Sequence, residues 1–303
     1  MFHGLTASCL FTADAAQESA PESASRRRED RRLTEFSLPP SALTNRDIGD
    51  LRWVQSSEPP PTISVSTWQT VFYTDNVFLT HADKRESTGW NGDMAIQFIP
   101  YSTWRWTPWI AADYFLYRYQ REPSEDFDGQ SLTIGSRLNL SEDQAWRWDL
   151  SYSLWRFTEA RDRSDEFFKE GLLENEITWT ALLSARPAIY SEIGYGMAFR
   201  HASPGEFDRL ENELGLRLHY FPWRALRITP YGRAAIRQYT ADEGTEGHRS
   251  DLHFESGLVA TWDISRNFSL HAEVNATWND SNRSEEDYEV FEPQISLYAE
   301  LDF

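Results

Sequence analysis

Residues 250–303 set a pattern that the rest of the chain repeats. Leu252, Phe254, Leu258, Ala260, Trp262 and Ile264 take alternate positions, with Asp251, His253, Glu255, Thr261 and Asp263 between them and Val259 as the apolar misfit. Phe268, Leu270, Ala272, Val274, Ala276 and Trp278 then oppose Ser269, His271, Glu273, Asn275, Thr277 and Asn279. Last, Phe291, Pro293, Ile295, Leu297, Ala299, Leu301 and Phe303 oppose Glu292, Gln294, Ser296, Tyr298, Glu300 and Asp302. A period of two means β-strands with one apolar and one polar face. Carried back to residue 62, the rhythm predicts twelve strands, at 63–80, 91–100, 107–120, 130–140, 145–158, 171–183, 187–200, 207–220, 225–239, 251–263, 267–279 and 289–303.

The links between these strands alternate in length. Ser141–Gln144, Ser184–Arg186, Phe221–Arg224 and Ile264–Asn267 are short, and Tyr101–Trp106 is little longer. The intervening links, such as His81–Trp90, Glu159–Glu170 and Asp280–Tyr288, are longer and charged. Short turns at one end and long polar loops at the other are the pattern of transmembrane barrels. The expected fold is therefore all-β: an antiparallel up-and-down transmembrane β-barrel of about twelve strands, following a disordered N-terminal arm. An even strand count puts both barrel termini on the periplasmic, short-turn side. Trp104, Trp106, Trp109, Trp146, Trp148, Trp223, Trp262 and Phe268 fall near the short turns, while Trp155, Phe157, Phe199, Tyr239 and Trp278 fall near the other end. Two aromatic belts are expected where a barrel meets the two membrane interfaces. The alternating strand ending in Ile295, Leu297, Leu301 and Phe303 looks like the C-terminal signal that the barrel-assembly machinery reads. A soluble β-sandwich also alternates, but it does not explain the loop asymmetry, the belts and the terminal phenylalanine together.

Composition changes this picture in three ways. The chain has 303 residues with 48 acidic and 29 basic side chains, a formal charge of −19, which excludes nucleic acid as a partner because phosphate contacts need Lys and Arg. Mean hydropathy is −0.61, yet barrel strands hide their membrane face among polar residues, so hydropathy does not argue for a soluble protein. The single cysteine, Cys9, leaves no intrachain disulfide and no cysteine metal cluster. No cofactor is expected. Residues 1–15 read as a clipped signal peptide, with Ala13-Asp14-Ala15 as a small-residue cleavage site and the basic n-region missing. Leu5-Thr6-Ala7-Ser8-Cys9 faintly resembles a lipoprotein box, with Thr6 where an aliphatic residue belongs. Residues 16–61 carry Arg26–Arg28, Arg31, Arg32 and Pro59–Pro61 and read as a flexible periplasmic arm, either solvated or entering the lumen as a plug. The barrel is expected over 62–303.

Tyr73-Thr74-Asp75-Asn76-Val77-Phe78-Leu79 and the following strand near Met94–Pro100 resemble the opening of a family of Gram-negative outer-membrane β-barrel porins, most of whose members are uncharacterised. The resemblance implies an outer-membrane location, contact with membrane lipid and lipopolysaccharide, and company with exopolysaccharide-export systems.

With the apolar faces toward lipid, the other faces line the lumen. The candidate lining residues are Arg137, Arg147, Asp149, Glu174, Glu176, Glu192, Arg209, Glu211, Glu213, Arg217, Arg227, Arg233, Arg237, His253, Glu255 and Glu273. They can pair with one another and fill a narrow barrel, or form ladders that order water and polar solutes in a channel. Glu122, Glu125, Asp126, Asp128, Asp162, Asp165, Glu166, Glu285, Glu286 and Asp287 make the long loops acidic. Such a mouth enriches cations, but no segment has calcium-loop spacing, so no metal site is expected. Catalysis has one weak candidate, His201 with Ser203 and Asp208; the His-x-Ser-Asn-Gly pattern of outer-membrane phospholipases is missing. The reading is a narrow channel for small polar or saccharide solutes. The alternatives are a non-conducting barrel that anchors an envelope or polysaccharide-export assembly and, more remotely, a hydrolase.

Overall fold

The computed structural model describes residues 62–79, 84–103, 105–141, 145–160, 166–185, 188–203, 205–240 and 248–303. The strands are β1 Ile63–Thr74, β2 Ser87–Phe98, β3 Trp106–Tyr119, β4 Phe127–Asn139, β5 Trp146–Glu159, β6 Glu166–Ala185, β7 Ala188–Ser203, β8 Arg209–Trp223, β9 Leu226–Tyr239, β10 Ser250–Asp263, β11 Phe268–Ser281 and β12 Tyr288–Asp302. Each pairs antiparallel with its sequence neighbours, and β1 pairs with β12, so the sheet closes into a barrel. Closure leaves no free edge, which a sheet surrounded by lipid requires. The expectations for residues 1–61 and for Trp104, His81, Asp162 and Asp165 fall outside the described residues.

The connections 99–105, 140–145, 186–187, 224–225 and 264–267 lie at the end that holds Ile63 and Asp302. Those at the other end are mostly longer, and among the described residues one-turn 3-10 helices shape three of them, at Pro123–Glu125, Gly205–Phe207 and Ser284–Glu286. The strands rise further into the long-loop end than the alternation predicts. β2, β4 and β6 start at Ser87, Phe127 and Glu166, in segments read as loop. Cross-strand pairs such as Tyr117–Phe127 and Phe157–Phe168 extend the ladder there, since aromatic pairs stabilise a sheet where alternation is weak.

β1 stops at Thr74 rather than near residue 80, for a specific reason. The Asp75 carboxylate accepts the Phe291 amide at 2.8 Å, and the Asn76 side-chain amide donates to the Glu289 carbonyl at 2.9 Å. The Val77 amide donates to the Arg85 carbonyl at 2.8 Å, and Leu79 has a φ of 53°, which turns the chain back. The stretch that carried the family resemblance is thus a clasp over the β1–β12 seam. Val77 and Phe78 fasten it to the aromatic cluster inside the barrel.

Outside the barrel, Val71, Met94, Ile134, Leu214, Ile295 and Leu301 are exposed, as an apolar belt requires. Trp106, Trp146, Trp223, Trp262 and Phe268 stand exposed toward the short-turn end, with Trp148 half-buried among them. Trp278 and Phe199 are exposed toward the long-loop end. Four expected belt residues instead face inward: Trp155, Phe157 and Tyr239 are buried, and Trp109 lies across Gly135 inside the wall. β3 and β5 carry aromatic residues on both faces, so period two alone does not tell which face meets lipid.

Candidate functional site

The barrel interior divides into two regions. Toward the long-loop end of β1 to β7, Phe72, Phe115, Tyr117, Tyr119, Phe127, Trp155, Phe157, Phe168 and Leu172 form one buried cluster, joined by Val77, Ala202 and Phe207. Tyr117 stacks on Phe127 at 4.8 Å, Phe168 meets Phe157 edge-on at 5.5 Å, and Phe207 reaches Phe168 at 5.6 Å. Offset and edge-on contacts of this kind add to the burial of the rings. Gly129 makes room for Phe115: a Cβ there would lie 2.0 Å from the ring.

Every candidate lumen residue faces the interior. From β4 to β11 the charged side chains form ion pairs along the wall. Asp149 on β5 accepts from Arg137 on β4 at 2.8 Å and from Arg147 at 2.6 Å. Arg200 on β7 donates to Glu170 on β6 at 2.8 Å, and Arg217 on β8 to Glu192 on β7 at 2.6 Å. Glu211 on β8 collects the Nε groups of Arg237, Arg209 and Arg200 at 3.1, 3.4 and 4.0 Å. Arg233 on β9 meets Glu255 on β10 at 2.5 Å and Glu213 on β8 at 3.4 Å. The Tyr231 hydroxyl contacts Glu255 and Glu273, each at 2.8 Å. His253 lies 3.4 Å from the Tyr288 hydroxyl. Arg227 is buried nearer the short turns, in the region of His219 and His271. The ion pairs join residues of the same strand or of adjacent strands and brace the wall, while the Tyr231–Glu273 and His253–Tyr288 contacts each reach across one intervening strand.

Beside them lies an open hollow whose empty space, open solvent included, is about 820 Å³, lined by Asp149, Glu174, Glu176, Glu192, Glu211, Glu213, Arg217 and Arg233 with Ser151, Ala198 and the glycines 194, 196 and 215. The sequence reading found the charges and missed this small-residue lining. Its signal was available: Gly194, Gly196 and Ala198 alternate on one face of β7, opposite the exposed Ile193, Tyr195 and Met197. It also missed Arg200 and Glu170, both buried, and the inward-facing Trp68, whose ring lies 4.5 Å from that of His271.

The acidic loop residues mostly shape their own loops. Asp126 accepts the Tyr119 amide at 2.7 Å and Asp287 the Ser281 amide at 2.7 Å. Glu122 pairs with Arg85 at 3.5 Å, and Glu286 with Arg249 at 2.7 Å. Asp128 lies on the outer wall under Arg118 at 2.5 Å and Tyr114 at 2.9 Å, and Glu166 pairs with Arg156 at 2.6 Å. Glu125 is different: burial, and secondarily the charge of Glu122, raise its carboxyl to about 7. His201 Nδ1 lies 2.9 Å from Asp208, whose other oxygen accepts the Ala202 amide at 2.5 Å. Ser203 is exposed and, among the described residues, bonds to neither, so the three do not converge as a catalytic unit. No group of His, Cys, Asp and Glu among the described residues has the disposition of a metal site.

No protein-family model matches the chain, and no curated protein matches it. Solved structures do. An outer membrane channel from Pseudomonas putida F1 superposes with a TM-score of 0.57 at 10% identity, over 81% of this chain and 97% of that one. The KdgM porin in complex with disordered oligogalacturonate gives 0.42 at 8% identity, over 77% and 98%. LpxR from Salmonella typhimurium gives 0.45 at 8%, over 77% and 99%. The superposition on the Pseudomonas channel is a likeness of fold, and the fold of this chain is that of a bacterial outer-membrane β-barrel.

Proposed function

We propose that the chain is a narrow outer-membrane channel for small polar or saccharide solutes, with both ends of the barrel on the periplasmic side. One observation carries this reading: the interior charges pair along the wall and leave an open hollow beside them. Charges are costly in a dry interior; a water-filled passage gives so many of them a place. The experiment is single-channel conductance of the refolded full chain in a planar bilayer, with and without residues 1–61. Discrete conductance supports the channel, and conductance only after truncation makes the basic arm a plug. Silence from both forms, with the barrel folded and inserted, overturns it. A second reading has its own support in the aromatic cluster, which packs part of the interior as a solid core. It is a non-conducting barrel that anchors an envelope or polysaccharide-export assembly, and silence would favour it. In either case Ile295, Leu297 and Leu301, exposed along β12, and Phe303, exposed just past its end, are the residues through which the assembly machinery would read the chain. Deleting Phe303 should slow insertion in cells while leaving refolding in detergent intact.

A further inference from the structure

Inside the cavity, β7 presents bare backbone. Gly194, Gly196 and Ala198 face inward at alternate positions, and Gly215 of β8 lies in register with Gly194. Carboxylates wall this floor on both sides. Glu176 and Glu174 of β6 register with Gly196 and Ala198, and Glu213 and Glu211 of β8 register with the same two residues from the other side. The result is a trough along β7.

Its walls are not equivalent. Glu211 has its arginines, Glu213 has Arg233, and Glu174 accepts from the Ser151 hydroxyl at 3.1 Å. Glu176 accepts from the Thr178 hydroxyl at 3.2 Å, and among the described residues no Lys or Arg stands within ion-pair distance of it. Its carboxylate lies over Gly194, where a Cβ would come within 2.7 Å of Oε1. Gly194 therefore keeps space for a carboxylate that makes no ion pair of its own: Arg217 and Arg147 act on it from beyond ion-pair distance, and each is engaged with another carboxylate. A negative group in a narrow, low-dielectric passage attracts a mobile positive charge.

We infer that this trough is the solute-binding stretch of the channel and that it takes small organic cations, with Glu176 as the counter-charge and β7 as the floor. The inference rests on the channel reading and narrows it from polar solutes to amine-bearing ones. The path it implies runs along β6 to β8, beside the aromatic cluster, against which Ala198 of the floor packs.

The test uses the refolded full chain, E176Q and G196W in planar bilayers, with 1,4-diaminobutane as probe, and in detergent by calorimetry. Wild type should prefer potassium to chloride, and diaminobutane should block its current. E176Q should weaken block and binding about tenfold, the scale of one charge lost at close range in a partly wet site. G196W, shown to be folded by circular dichroism, should lose most of its conductance because the indole fills the trough. Equal block in wild type and E176Q, anion preference, or undiminished current in folded G196W overturns the inference. A silent wild type that still binds diaminobutane through Glu176 would remove the channel and keep the site; a conducting wild type indifferent to the probe would remove the site and keep the channel.

Discussion

The two parts of the barrel interior solve one problem in opposite ways. At the long-loop end of β3 to β6, the inward positions hold Phe115, Tyr117, Phe127, Trp155, Phe157 and Phe168, packed ring on ring with almost no exposure. From β6 to β10 the inward positions hold Arg200, Glu211, Arg217, Glu192, Arg233 and Glu255, held by ion pairs around an open cavity. The first region excludes water and behaves as the core of a soluble domain turned inside a membrane protein. The second keeps its charges because partners remain within reach. One wall is a packed apolar core, and the other is a paired polar surface beside an open hollow.

Four experiments test that contrast, the first having the largest expected effect. Phe157→Ala should cost about 3–5 kcal/mol of folding stability, the range for deleting a buried aromatic side chain, read by denaturant titration of the barrel in lipid vesicles. The loss should not depend on salt. Glu211→Gln should cost about 1.5–3 kcal/mol, the scale of hydrogen bonds to charged groups, and that loss should shrink as salt is raised, because the cavity admits ions. Equal salt dependence for the two variants would erase the distinction between a dry and a wet region. Asn76→Ala removes a buried amide that donates to Glu289 across the seam and should cost about 1–3 kcal/mol. Hydrogen exchange should then rise near Glu289 and Phe291 and stay unchanged on β8 and β9; uniform exchange would make the clasp dispensable.

The smallest effect concerns the loop between β3 and β4, which crowns the aromatic region. Glu125 has its carboxyl raised from 4.5 to about 7, mainly by burial. Below pH 4.5 it is protonated whether or not the loop is ordered. The contribution to order is complete there; between 4.5 and 7 the open loop releases the proton that the ordered loop keeps, so the contribution falls as pH rises and is gone above 7. Exchange of amides 121–127, corrected for intrinsic rates, should therefore speed up from pH 5 to pH 8 in wild type and stay flat in Glu125→Gln. The same rise in both would assign it to another group.

Some of this architecture was legible from single residues. β10 to β12 alternate so cleanly that their faces and approximate limits follow from period two, and the loop asymmetry orders the strands into a closed ring. The charged candidates were legible as well, since a charge on the non-lipid face has nowhere else to point. β3 and β5 were not: Trp109, Trp155 and Phe157 are aromatic like true belt residues, and only their neighbours across the wall show that they turn inward. Asp75 and Asn76 read as a family signature, but their partners lie more than two hundred residues away, on β12.

The sequence by itself determined that the chain forms strands, roughly how many, and on which side most charges lie, because alternation and turn spacing are local properties of the chain. Only the tertiary structure decided which arginine meets which glutamate, that Glu176 stands over a glycine without an ion pair of its own, and that aromatic rings fill one side of the interior. Those facts depend on register between strands and on curvature around the barrel. A shift of one residue in pairing would exchange the inner and outer faces of a strand, and no local pattern records it.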